Sequence, residues 1–385
     1  MELFKLIVRN TFRQRLRTGL TVVGMAVAIL AFCLLRTLVD AWYAGASAAS
    51  PNRLVTRNAA SLIFTMPLSY RDKILQVPGV EEVVYANWFA GIYIDEKHFF
   101  PRMAVGPRTF FDLYPEFVIP PDRLEAFWSR RNSCIAGRKL AEKYRWKIGD
   151  TIPITGNIYP GEWRFVLQGI YTGATRRTDE TQFFFRWDYL DEMVKKSMPL
   201  IAGQVGWYIV GVRNPAQSAT VSQAVDKLFA NSPAETLTET EKAFQLGFVA
   251  MTEAIVVAIR VVSFVVIGVI LVILANTMAM TSRERMPEYA TLKTLGFGNR
   301  FLAALIAGES VSISILGGTL GIVLTFPIAR IFAREMAMLL PIFHVGWQTI
   351  LMGIGISLSI GLLSAVFPAW RAMRAGIAEA LGHVG

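Results

Sequence analysis

Between residues 281 and 300 stand Arg283, Glu284, Arg285, Glu288, Lys293 and Arg300, a dense polar interval set between two long apolar runs. Residues of these types in so short a stretch suit docking on a lipid surface or on another protein rather than bond-making chemistry. A second candidate is Glu309, about two turns inside the following apolar run, because an acid at membrane depth is a functional candidate by default. With no second acid in the bilayer to build a relay, it is expected to serve packing or snorkelling. No diacidic metal motif, HExxH, CxxC or phosphate-cradling Gly-rich loop with GKS or GKT occurs, so no catalytic residue, metal site or cofactor site is expected in the chain. His98, His344 and His383 are scattered and read as structural. Cys33 falls in the first apolar run and Cys134 in a polar region, which argues against a disulfide between them.

The elements that must position the polar interval are membrane spans. Residues 261–282 carry no charge, enough to cross a hydrocarbon core of about 30 Å as a helix, and residues 301–329 are interrupted only by Glu309. The interval itself reads as a short helix. Pro287 suits a first helical position, Glu288 the positive end, and Gly296 the stop. Within it Tyr289, Leu292 and Leu295 recur every three residues as an apolar stripe, and Lys293 stands off it.

Composition agrees with an integral membrane protein: 385 residues, 53% hydrophobic, mean hydropathy +0.42. The net charge of +10 is concentrated. Residues 1–17 hold five basic and one acidic residue, 281–300 four and two, and 371–385 two and one, whereas 40–253 is nearly balanced with 24 basic and 23 acidic. Basic residues on short segments mark the cytoplasmic side, and a neutral large domain excludes a nucleic-acid partner despite the pI of about 9.7.

Residues 1–18 place Leu3, Phe4, Leu6, Ile7 and Phe12 among Lys5, Arg9, Arg13, Arg15 and Arg17, an interfacial basic helix leading into a first span at 19–39, with Arg36 snorkelling near its outer end. A signal peptide cleaved near 46–50 is the rival, disfavoured by the long apolar run and the long basic prelude. Residues 40–253 form an extracytoplasmic domain. Strands are expected at 83–94, 163–171, 181–185 and 206–212, and helices at 69–76, 122–131, 138–144, 188–196 and 215–229, the last capped by Asn214. Without a βαβ rhythm the domain is expected to be α+β. Trp88, Phe89, Phe99, Phe100, Trp163 and Phe183, Phe184 and Phe185 are expected in its core, with a ligand groove as the alternative.

Thr238 with Glu241 fits a capping box, and no proline follows before Ser282, so a single stiff helix of about 60 Å is expected over 239–282, half of it a stalk outside the bilayer. The spans then follow as 254–282, 301–332 and 346–370, separated by a cytoplasmic loop at 283–300 and an outer loop at 333–345 containing Pro341, with a tail at 371–385. Gly317 with Gly321, and the ladder Gly353, Ser357, Gly361 and Ala365, permit close helix contact. The fold expected is a four-span α-helical membrane protein with both termini cytoplasmic, carrying an outer α+β domain.

One span, a large outer domain, then three spans, together with Arg285-x-x-Glu288-Tyr289-Ala290-Thr291-Leu292-Lys293-Thr294-Leu295-Gly296, resemble the FtsX/MacB-type permeases of ABC transporters. The tail Pro368-Ala369-Trp370-Arg371-Ala372-Met373-Arg374, ending Glu379-Ala380-Leu381, is similar to that family's closing motif. The departures are Pro287 just before the acid, and Ala375-Gly376-Ile377 in place of Leu-Asp-Pro. The resemblance implies that Arg285, Glu288, Tyr289, Leu292, Lys293, Leu295 and Gly296 lie on a coupling helix that docks on a cytoplasmic ATPase. It implies a homodimer, or a heterodimer with a related permease, working with two ATPases that bind ATP and Mg²⁺, in a bacterial cytoplasmic (inner) membrane. It further implies mechanotransmission: the partner's ATP-driven closure moves the outer domains, without substrate crossing between the spans.

Three functions compete on these grounds. The chain is an exporter subunit that expels or extracts an amphipathic or lipid-linked molecule, with a periplasmic adaptor as a further partner. Alternatively it is a signalling permease that controls an outer enzyme such as a cell-wall hydrolase, or a membrane-anchored binding protein with no ATPase. The large outer domain favours the first, and the coupling-helix pattern argues against the third.

Overall fold

The computed structural model describes residues 2–374 apart from 12, 176, 337–339 and 341. Phe12, the side chains of Leu3, Phe4 and Lys5, Pro341, His383 and the tail residues Ala375, Gly376, Ile377, Glu379, Ala380 and Leu381 lie outside the described residues. The chain divides into two units, a helical one (1–40, 253–335 and 343–385) and an α+β one (41–252 and 336–342).

Four described helices are long and apolar enough to cross a membrane: TM1 (Arg15–Trp42), TM2 (Glu253–Glu284), TM3 (Asn299–Glu335) and TM4 (Trp347–Arg374). Each outlasts the apolar run expected for it, because a helix continues through its polar end turns as long as nothing breaks the backbone ladder. The N-terminal helix is shorter than expected, Glu2–Thr11, and is separate from TM1. At the break Arg13 N–H donates to Asn10 O (3.1 Å) and the Thr18 hydroxyl to Thr11 O (2.6 Å), so local polar groups satisfy the freed carbonyls.

Small residues set the spacing of the bundle. A methyl group on Gly317 would sit 2.6 Å from Met25 Cβ and 2.9 Å from Val22 O of TM1, and one on Gly321 3.0 Å from Ile29 Cβ. Gly353 faces Cys33 of TM1. Ser357 and Gly361 of TM4 meet Gly318 and Ser314 of TM3, and Ser310 and Ser364 share a hydrogen bond of 2.7 Å between the same helices. Without a hydrophobic drive between helices in lipid, such close approach and buried hydroxyl bonding are the main sources of association. TM2 is the least covered span, with Val261, Phe264 and Val272 pointing outward.

The α+β unit is built on one mixed sheet. Its strands are β1 (Arg53–Asn58), β2 (Val80–Trp88), β3 (Arg102–Gly106), β4 (Ser133–Gly137), β5 (Thr151–Gly156), β6 (Gly161–Gly173), β7 (Phe183–Arg186), β8 (Trp207–Val212) and β9 (Thr236–Thr240). They lie in the order β9-β1-β8-β2-β3-β7-β4-β6-β5, with short strands at Gly91–Ile92 beside β5 and Phe117–Val118 beside β6. The pairs β3–β7 and β4–β6 are parallel, and the others antiparallel. Alternation along β7 splits the aromatics between faces. Phe183 and Phe185 join Phe89, Phe100 and Trp163 in one core, while Phe184 enters another with Phe110, Phe111, Phe127 and Tyr171. These rings are core; of the expected set only Trp88 and Phe99 are exposed.

The stalk differs from expectation. Residues 236–240 are strand β9, where Thr238 hydrogen-bonds Thr56 of β1 (3.0 Å), and the helix cap is Thr240, which accepts from Ala243 N–H. The stem helix Glu241–Met251 ends at Thr252 (φ −113°, ψ 14°) before TM2 begins. The Thr252 hydroxyl donates to Val249 O (3.0 Å) and accepts from the Trp42 indole (2.7 Å), a local bonding choice that competes with helix continuation. Residues 239–282 are therefore not one rod.

Glu241 is occupied elsewhere. It accepts from Arg53 Nε (2.8 Å) and Ser50 N–H (2.9 Å), while Arg53 forks onto Glu116 (2.6 and 3.0 Å) and lies over the Tyr114 ring. Burial opposes the charge on Arg53, but the Glu116 hydrogen bond and the field of Glu241 outweigh it and hold the guanidinium ionised.

Gly317→Val is expected to destabilise the detergent-purified protein by about 1–3 kcal/mol, since the added carbons meet TM1 backbone and the helices must separate. Gly268→Ala, with no atom within 4 Å of the added methyl, is the control and should unfold at an unchanged or slightly higher temperature. Equal melting temperatures for the two variants would refute the packing argument.

Candidate functional site

The polar interval folds as a loop helix, Met286–Thr294, with Pro287 in its first turn. It ends at Gly296, whose φ of +91° is a left-handed conformation that glycine adopts without Cβ strain. Arg285 precedes the helix and is its anchor. Its Nη1 donates to Glu309 Oε2 of TM3 (2.8 Å), its Nε to Glu288 Oε2 (3.0 Å), and its guanidinium lies 5.6 Å from the centre of the Tyr289 ring. Arg285 is 9% exposed and Glu309 5%.

Glu309 is thus neither a snorkelling acid nor a packing residue; it is half of a buried ion pair. The fold brings Arg285 beside Glu309 although the two lie 24 positions apart. An acid at this depth needs a cation, and the nearest interval of basic residues supplies one.

Around this pair the N-terminal segment closes in. Arg13 contacts Glu288 (2.5 Å), Arg17 forks onto Glu284 (2.7 and 3.0 Å), and Gln14 Nε2 donates to the same carboxylate (2.7 Å). These residues, with Thr18, Thr277 and Glu309, line a polar cavity of about 140 Å³. Burial pushes the Glu288 carboxyl up, but hydrogen bonds from Arg13 and Arg285 more than offset it and leave it below the usual range. Its pairing therefore adds stability above the unfolded carboxylate pKa, and that contribution is lost as pH falls through the lowered folded value.

On the other side, Lys293 Nζ donates to Ala372 O (3.1 Å) and Met373 O (3.0 Å). A cation on the last carbonyls of TM4 satisfies acceptors that the helix end leaves open. The stripe Tyr289, Leu292 and Leu295 does not form one outward face. Tyr289 and Ala290 are buried, Leu292 is half-buried against the bundle, and Leu295 is 70% exposed. At about 100° per residue, steps of three drift by roughly 60° each, so the third member has rotated out of the inner face. The outer face consists of Pro287, Thr291, Thr294 and Leu295, followed by Phe297. Of the residues expected at helix contacts, Gly317, Gly321, Gly353, Ser357 and Gly361 all lie at such contacts and none reaches the polar cavity.

Reading the sequence missed Arg13 and Arg17, whose pairing depends on the break after Thr11 that turns them toward the loop. It also left Glu309 without a partner; the signal was present, since a buried acid demands a cation and Arg285 is in the adjoining loop. Arg285→Ala leaves that acid unpaired, and a loss of about 3–5 kcal/mol is expected. It should appear as a clear fall in the melting temperature of the detergent-purified protein. Arg285→Met combined with Glu309→Met should recover most of the loss, and a double variant as unstable as the single one would contradict this account.

Comparison with known proteins bears on the whole chain. The MacB-like periplasmic core domain model matches residues 18–228, and the FtsX-like permease C-terminal model matches residues 260–377, which include TM3, TM4 and the loop helix. An uncharacterized ABC transporter permease of Methanocaldococcus jannaschii is 23% identical over 94% of this chain and 92% of its own length. An uncharacterized ABC transporter permease protein of Mycobacterium tuberculosis is 22% identical over 65% of this chain, which spans only 29% of that longer protein. Among solved structures, the periplasmic region of MacB from Actinobacillus actinomycetemcomitans aligns at TM-score 0.37 and 7% identity, over 52% of this chain and 94% of that one. The extracellular domain of the noncanonic ABC-type transporter YknZ from Gram-positive bacteria aligns at TM-score 0.34 and 13% identity, over 49% and 99%. The two family models match most of the sequence in the expected order, and the chain belongs to the FtsX/MacB-type permeases of ABC transporters.

Proposed function

We propose that this permease couples ATP hydrolysis by a separate cytoplasmic ATPase to movement of its MacB-like domain, and so expels or extracts an amphipathic or lipid-linked substrate. ATP and Mg²⁺ belong to the partner. The observation that carries the reading is the loop helix itself, held from within by Arg285 and Glu309 while Leu295 stays exposed. A rigidly seated helix with an apolar tip is what an ATPase groove can push against. The concentration of basic charge on residues 1–17 and 281–300 supports placing both termini and this loop on the cytoplasmic side of a bacterial inner membrane. The MacB-like domain then lies outside, where an adaptor can meet it. The outward apolar surface of TM2 suits lipid or a second permease, so a dimer working with two ATPases fits.

Leu295→Asp places a carboxylate where an apolar groove would close over it, a cost of several kcal/mol. The variant should insert normally and lose its ATPase on purification from cells that express both. Copurification at the wild-type ratio would refute the docking. Topology has its own test, helped by the burial of Cys33 and Cys134, which keeps the background low. An impermeant maleimide added to spheroplasts should label Lys73→Cys in the domain and spare Thr291→Cys in the loop. Labelling of position 291 from outside would reverse the assignment.

A further inference from the structure

We propose that Arg13 and Arg17 are positioning residues for the loop helix: with the Arg285–Glu309 pair they hold its first turn between TM1 and TM3. This deepens the docking reading above and rests on it only for what the loop helix meets. The observation is a convergence on a short stretch of chain. Arg13 reaches Glu288, Arg17 and Gln14 reach Glu284, and Arg17 Nη1 also lies 3.5 Å from the Thr281 hydroxyl. Residues 13–17 thus grip 281–288, which spans the end of TM2 and the start of the loop helix.

The same turn of TM3 receives both halves of the arrangement. Gly308 admits the buried Ile7 of the N-terminal helix so closely that an added methyl would lie 2.5 Å from Ile7 Cδ1. The next residue, Glu309, holds Arg285. The N-terminal helix and the loop helix are therefore seated on adjacent residues of TM3, and the arginines close the side between them.

The two halves differ in permanence. Arg285 and Glu309 are shielded from water, so their attraction is little screened and separation would strand a buried charge. Arg13 is 64% exposed and Glu288 41% in their side chains, and Arg17 and Glu284 are 33% and 42%, so these contacts exchange with water readily. One fixed pair defines where the loop helix sits; the exposed pairs set its tilt against TM1. The start of the loop helix is therefore joined to two spans, to TM2 by the chain itself and to TM1 by Arg17.

The test uses the purified full-length chain in lipid nanodiscs and reads deuterium exchange of the loop-helix amides, 289–295. Arg17→Glu should speed that exchange about fivefold, because local opening is no longer opposed from TM1. Adding Glu284→Arg to Arg17→Glu should restore it, since the hydrogen bonds that hold Arg285 run to Glu288 and Glu309 rather than to Glu284 and the reversed pair can form. Arg13→Gln, a change at an exposed side chain, should speed exchange in the same direction and decides the matter if the reversal does not fold. Loop-helix exchange that ignores both substitutions, or a reversal that the swapped partner fails to restore, would overturn the proposal. The measurement needs no ATPase, so its failure is distinct from failure of the docking reading, which is judged by Leu295→Asp copurification alone.

Discussion

The arrangement of the polar end of the bundle depends on one ion pair in a low-dielectric setting, Arg285 with Glu309. Apart, either charge would be expensive among the spans; together they are tolerable only if the geometry is kept. That condition turns a cost into a specification. TM3 must present Glu309 at a fixed height, the loop must deliver Arg285 to it, and the helix that follows inherits its register from that contact. Tyr289 then faces inward, Lys293 meets the carbonyls of TM4, and Leu295 is left in solvent.

Elsewhere in the helical unit specificity comes from shape rather than charge. Gly317, Gly318 and Gly321 give TM3 a flat side on which TM1 and TM4 lie, and the buried Ser310 and Ser364 hydroxyls pair across TM3 and TM4. The α+β unit uses the opposite device: a sheet whose two faces are filled by bulky rings, with the buried Arg53 tying β1 to Glu116 and to the first residue of the stem helix.

The sequence alone revealed the four spans, the loop helix and the order of the parts, because long apolar runs, charge asymmetry and helix-stop residues are local signals. The helix over Arg138–Tyr144 was readable to the residue. The strands Arg53–Asn58, Arg102–Gly106, Ser133–Gly137 and Thr151–Gly156 were not, since each is short and takes its identity from neighbours far away in sequence. The same limit applied at the site. Arg285 and Glu288 stood out through their pattern, but the inward turn of Tyr289 and Leu292 and the approach of Arg13 and Arg17 are tertiary facts. The stalk failed for a different reason: absence of proline permits a long helix without requiring one, and a β-branched residue with a hydroxyl at position 252 was enough to end it.

The joint at Thr252 also says something about how such a chain can be assembled. The Trp42 indole reaches the Thr252 hydroxyl at 2.7 Å, and a few residues further on Ser50 and Arg53 both bond to Glu241. The strand that enters the α+β unit and the helix that leaves it are therefore fastened side by side. A domain whose two ends meet in this way is an insertion in the architectural sense, and its interior can grow, shrink or be exchanged while the spacing its two ends present stays the same. The membrane-spanning half of the chain and the α+β half can then diverge at separate rates, one constrained by a buried charge and the other by the filling of a sheet.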